Sequence, residues 1–198
     1  MYQLLLILLF VTATSSQWTH AEQKSHDAHV HGQAVLNIAV DANALVVEFE
    51  SPSMNIVGFE HQPSNKLQRD AVKNAIEILN HPDHLLTLAH SASCRHESTT
   101  VRSSLAEAAD DDHHDDNHAN DSDDHGHVDD DHGDETSPHS EFMSLWTYYC
   151  DNPNALDRID LMLLNAYPQI QILDVNIITP TLQTSIQMQP GETRIELN

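Results

Sequence analysis

A chain of 198 residues with 31 acidic and 8 basic side chains carries a formal net charge of −23. Such a charge disfavours nucleic-acid phosphates and anionic membrane surfaces as partners and leaves cations as the natural counterpart. The length suits one domain with one core once the ends and the most acidic stretch are set aside.

Taken in order, the chain opens with the apolar run Leu4–Val11. It is too short to span a bilayer and has the length of a signal-peptide core. This predicts a signal peptide over residues 1–21, cleaved near Ala21 or a little earlier near Ser16. The chain is then exported without stable membrane insertion, as a single domain over residues 22–198; an uncleaved anchor or a buried strand is the competing reading. A lead dotted with His26, His29 and His31 follows.

Ala34, Leu36, Ile38 and Val40 alternate with Val35, Asn37 and Ala39, and Leu45, Val47 and Phe49 alternate with Val46, Glu48 and Glu50. Around a turn at Asp41–Asn43 this predicts an antiparallel hairpin. Ser51–Pro63 reads as irregular, because two prolines and a glycine interrupt any ladder or helix. Leu67, Ala71, Val72, Ala75, Ile76 and Leu79 then fall at helical spacing. Ser64 or Asn65 serves as N-cap, and Asn80 followed by Pro82 is the stop. Leu85–Ala89 reads as a short strand leading to Cys94.

Beyond the acidic stretch, Phe142–Cys150 predicts a buried aromatic strand. Asn152–Pro153 is a helix start, continued by Leu156, Ile159, Leu163 and Ala166 to Tyr167. Ile170–Thr179, Leu182–Met188 and Thr193–Leu197 read as strands. The fold class expected is α+β: a mainly antiparallel sheet with two or more packed helices and a long disordered His/Asp-rich insertion at residues 107–139.

That insertion carries the clearest chemical signal. It holds no Lys or Arg, and Glu107–Pro138 contains 14 of the chain's carboxylates. Within about twenty residues come His113, His114, His118, His125, His127 and His132. Imidazole binds zinc, copper and nickel, and carboxylates complete their shells. Each ordered residue costs roughly 1–2 kcal/mol of conformational entropy, so the expectation is several weak, interchangeable sites. An acidic linker that only solubilises has no need of so many histidines. Calcium is the weaker reading, because the EF-hand spacing is absent.

Tighter binding needs ligands on a rigid scaffold. His29 and His31, an i, i+2 pair just before the first strand, are candidates, as are Glu60 and His61 after the second. If the hairpin closes as read, the two groups approach each other. His81 and His84 fit a solvated loop. Cys94 and Cys150 bracket the insertion; in an exported chain they read as a disulfide tying its ends, with thiolate metal ligation as the competing reading. No HExxH pair, phosphate loop or GxSxG elbow is present, so an enzyme is not expected.

The stretch His29–His61, with His29, His31, Gly32, Asn55, Gly58, Glu60 and His61, resembles the opening of the ZrgA-like family of periplasmic zinc-uptake proteins of Gram-negative bacteria. The later layout is similar: Cys94, a variable His/Asp-rich segment, an aromatic strand ending in Cys150, then Asp151, Pro153, Leu156 and Ile178-Thr179-Pro180. The resemblance implies a periplasmic protein that binds Zn(II) and assists its acquisition, beside a zinc ABC importer or that importer's solute-binding protein. The donor set alone leaves copper or nickel handling open, and an exported interaction module with an acidic linker is the metal-free alternative.

Overall fold

The computed structural model describes residues 30–106 and 140–197. The hairpin forms as its alternation predicts. Strands β1 (Gln33–Asp41) and β2 (Ala44–Pro52) pair antiparallel from Val35↔Glu50 to Asp41↔Ala44. Ala34, Leu36 and Ile38 of β1 and Leu45, Val47 and Phe49 of β2 are buried on one face.

The segment read as irregular contains a five-residue helix, α1 (Ser53–Val57). Gly58 ends it at φ 84°, donating its N–H to Met54 O at 3.1 Å. That left-handed cap is one a side chain resists, which is why a glycine stands there. Helix α2 (Lys66–Asn80) starts where predicted, with Asn65 Oδ1 accepting from Gln68 N at 3.0 Å. Its buried stripe is Val72, Ala75 and Leu79. Leu67, expected on that stripe, is 82% exposed because packing begins only after the first turn. A 3₁₀ turn (Pro82–His84), the short strand β3 (Leu86–Leu88) and a second 3₁₀ turn (His90–Ala92) lead to Cys94.

Here the structure departs from the expectation. Cys94 begins a strand, β4 (Cys94–Ser103), which pairs antiparallel with the aromatic strand β5 (Glu141–Cys150). β4 is an edge strand with mostly exposed side chains, so it lacks the apolar alternation that marks a strand in sequence. The helix read over Pro153–Ala166 is likewise corrected. In its place stand a 3₁₀ turn (Pro153–Ala155), strand β6 (Arg158–Leu161) and the four-residue helix α3 (Leu163–Ala166). Ile159 and Leu161, two residues apart, enter the core together, while Asp160 meets Arg194 Nε at 2.9 Å outside it. Pairing with neighbours on both sides overrides the helical spacing of Leu156, Ile159 and Leu163.

Strands β7 (Ile172–Ile178), β8 (Gln183–Met188) and β9 (Arg194–Glu196) complete two sheets. One has six strands in the order β4-β5-β2-β1-β7-β8, and the other three in the order β3-β6-β9. The larger sheet is mixed, since β1 runs parallel to β7 from Gln33↔Ile172 to Ala39↔Ile178. Residues of both sheets and of α2 share one buried cluster, including Phe49, Trp146, Leu79, Ile159 and Ile195. Trp146 is fully buried in it and donates Nε1–H to Leu79 O at 2.8 Å, joining the end of α2 to the sheet.

Cys94 and Cys150 form the expected disulfide. Its place differs from the expectation. The two cysteines face each other at one end of the β4–β5 pair, whereas the insertion leaves from the other end, beyond Ser103↔Phe142. At the usual strand rise the nine steps from Cys94 to Ser103 span about 30 Å. The bond therefore closes the end of the pair opposite the insertion and does not tie the insertion's roots.

Candidate metal centre

Val30–Gln33 is a tight turn closed by Gln33 N–H donating to Val30 O at 3.0 Å. Gly32, at its third position, has φ 84°, a value that favours glycine there, and the strand begins only at Gln33. His31 thus stands on a turn and not on a strand, so the strand alternation that paired it with His29 does not extend to it. His29 itself lies outside the described residues.

The turn is held from several sides. Gly32 N–H donates to Asn55 Oδ1 at 2.8 Å, and Asn55 Nδ2 donates to Gln33 O at 2.8 Å and to Ser51 Oγ at 3.1 Å. Gly32 O accepts from Gln171 N–H at 2.7 Å and Ile172 N–H at 3.0 Å. Asn55 is 2% exposed, so its amide is a buried polar bracket between α1 and the start of β1. A buried amide with its bonds made fixes one geometry and is costly to leave unpaired.

Against this turn lies Glu60. Its Oε1 is shielded from solvent and stands 3.1 Å from His31 Nε2, with the carboxylate side chain 20% exposed and the imidazole 55%. Two donors on one tetrahedral zinc, each about 2.1 Å from the ion, sit roughly 3.4 Å apart. The His31–Glu60 pair has close to that spacing already. His61 is placed differently: its ring stacks on Phe59 with centroids 5.2 Å apart, and its Nδ1 lies 2.9 Å from Gln62 O. In the neutral ring that contact places the proton on Nδ1 and leaves the Nε2 lone pair for a ligand. Among the described residues no three His, Cys, Asp or Glu side chains converge as a complete metal site. The structure thus joins His31 to Glu60, sets the adjacent His61 against Phe59 and Gln62, and adds Asn55 as the support of the His31 turn.

Both roots of the insertion reach this same corner. Ser140, the first described residue after it, donates Oγ–H to Glu60 O at 2.8 Å, and its own carbonyl accepts Ser53 N–H at 2.9 Å. On the other side Gln62 Nε2 donates to Ser104 O at 3.2 Å. Ser104, Gln62 and Ser140 carried no signal in the sequence, being common polar residues whose role is only to be adjacent. His113, His114, His118, His125, His127 and His132 lie outside the described residues.

An imidazole and a carboxylate at ligand spacing form the donor set of first-row divalent cations. Residues 28–197 match the ZrgA family, described as a zinc uptake protein family, and the chain belongs to it. Its role is accordingly in zinc uptake. No curated protein is similar enough to the chain to be matched with it.

Proposed function

We propose that this is a non-enzymatic, exported zinc carrier of the periplasm. It takes Zn(II) on an ordered site that includes His31 and Glu60 and gathers further ions on the histidines of residues 107–139. The observation that carries the reading is the corner itself. The His31–Glu60 pair lies at ligand spacing, and Val30, Ser104 and Ser140, at or within two residues of where the His-bearing segments leave the described fold, all border it. His29, His61 or an insertion imidazole completes the shell. Ions loosely held by the insertion are released beside the fixed pair, and from there pass to a zinc importer or its solute-binding protein. Export is supported by the apolar run Leu4–Val11 and by a disulfide, a bond that persists in oxidising compartments.

Zinc titration of the full chain against a chromophoric competitor at neutral pH tests this. Two classes of site are expected. Glu60→Gln and His31→Ala should each weaken the tighter class at least tenfold, about 1.4 kcal/mol, and leave the weaker class in place. Deleting residues 107–139 should remove most of the weaker class. A chain that binds no zinc overturns the proposal, and unchanged stoichiometry after the deletion removes the gathering role from the insertion.

A further inference from the structure

Away from the Glu60 corner, His81 and His84 meet at the far end of α2. His81 caps the 3₁₀ turn Pro82–His84 and His84 is its last residue. A 3₁₀ turn has three residues per turn, so side chains at i and i+3 eclipse. That is what brings these two rings together, with centroids 6.0 Å apart and planes tilted by 43°. The backbone beneath them is fixed: Pro82 is buried, His84 N–H donates to His81 O at 3.1 Å and Leu85 N–H to Pro82 O at 2.8 Å. Both imidazoles are exposed, and neither has a hydrogen-bond partner among the described residues, so their nitrogens are open to a ligand.

The geometry points to a second cation site, in which His81 and His84 chelate one first-row divalent ion. A zinc ion about 2.1 Å from a ring nitrogen lies roughly 3.2 Å from the ring centre, which places the centres of two imidazoles on one tetrahedral ion about 5.2 Å apart. The observed 6.0 Å is wider by less than an ångström, a gap that a modest χ1 change in two exposed side chains closes. Asp83 between them does not join the shell. It lines a cleft with His90, His96 and Tyr148 on the other side of the turn, and supplies only nearby negative charge. Asn80 is also committed, its Nδ2 donating to Ile76 O at 2.9 Å. Two protein ligands therefore leave the remaining positions to water, and the site holds its ion weakly and exchanges it readily. Helix α2, fifteen residues and about 22 Å long, separates this pair from the Glu60 corner.

The test is a zinc chloride titration of the full chain followed by the ring-proton NMR resonances of His81 and His84. One shared binding isotherm is expected for both rings. In His81→Ala the midpoint for His84 should move up by about tenfold or more, since the second ligand no longer acts intramolecularly. Different midpoints for the two rings, or an unchanged response of His84 in His81→Ala, overturns the site. In Glu60→Gln both rings should respond as in the parent chain, so failure here is separable from failure of the Glu60 corner.

Discussion

The two ends of the β4–β5 pair differ in what holds them. At the Cys94–Cys150 end the closure is covalent, and the β1–β2 turn is fastened to it: Asn43 Nδ2 donates to Cys150 O, and Cys150 N–H to Asn43 O, both at 2.7 Å. At the other end the chain is held by single hydrogen bonds to Glu60, Gln62 and Ser53. Near the first end lie the outlying His81–His84 pair and the cleft lined by Asp83, His90 and His96. The second holds an imidazole and a carboxylate at zinc-ligand spacing. Under the proposed function the difference is a division of labour, with stability anchored far from the corner where ions are expected to arrive.

Removing the disulfide puts the largest strain on that division. Cys94→Ser with Cys150→Ser frees a segment of sequence separation 56, worth about 4 kcal/mol in the chain-entropy account. A urea titration should show that loss, while zinc affinity at the Glu60 corner stays unchanged in the protein that remains folded. An equal fall in affinity would mean that the ends are coupled. Asn55→Ala is the complementary change. It removes the three hydrogen bonds that bracket Gly32, Gln33 and Ser51, at a cost of about 2 kcal/mol. Here stability and tight zinc binding should fall together, measured by thermal melting and by competition; retained affinity would show that the His31 turn holds itself.

The smallest effect concerns the three-stranded sheet, which belongs to neither end. The Arg194 hydrogen bond, aided by its charge and that of Arg158, holds the Asp160 carboxyl below its ordinary value of 3.8. A carboxyl depressed in the folded state adds stability above its unfolded value, and that increment is lost as pH falls through the folded one. Asp160→Asn should therefore lower Tm slightly at neutral pH, with the difference from the parent shrinking below about pH 4 and zinc binding untouched. A difference that persists at lower pH would show that the asparagine disturbs packing and not charge.

Periodicity exposed the elements whose faces differ most: the β1–β2 hairpin, α2 with its Asn65 cap, the aromatic β5 and the last three strands. It failed where one pattern served two structures. Leu156, Ile159, Leu163 and Ala166 suit a helix, yet Ile159 and Leu161 suit a strand, and only the neighbouring β3 and β9 decide between them. β4 escaped because an edge strand can be polar on nearly every position. At the site, the return of the hairpin brings Glu60 to His31, but through the turn at Gly32 and not through strand alternation. What stayed hidden was distance along β4: two cysteines flanking an insertion in sequence sit at the opposite end of the ladder from its roots. The Ser140–Glu60 contact was hidden too, because it joins a side chain to a backbone carbonyl 80 positions away.

The parallel pairing of β1 with β7 has a consequence for how the protein is made. A chain emerging from its N-terminus completes the β1–β2 hairpin early, yet the open edge of β2 waits for Glu141–Cys150 and that of β1 for Ile172–Ile178. Until then two apolar strands present unpaired edges, the form of nascent chain most prone to stick to its own kind. Shielding during synthesis matters most for residues 33–52, and the β1 edge is covered only once Ile172–Ile178 has appeared.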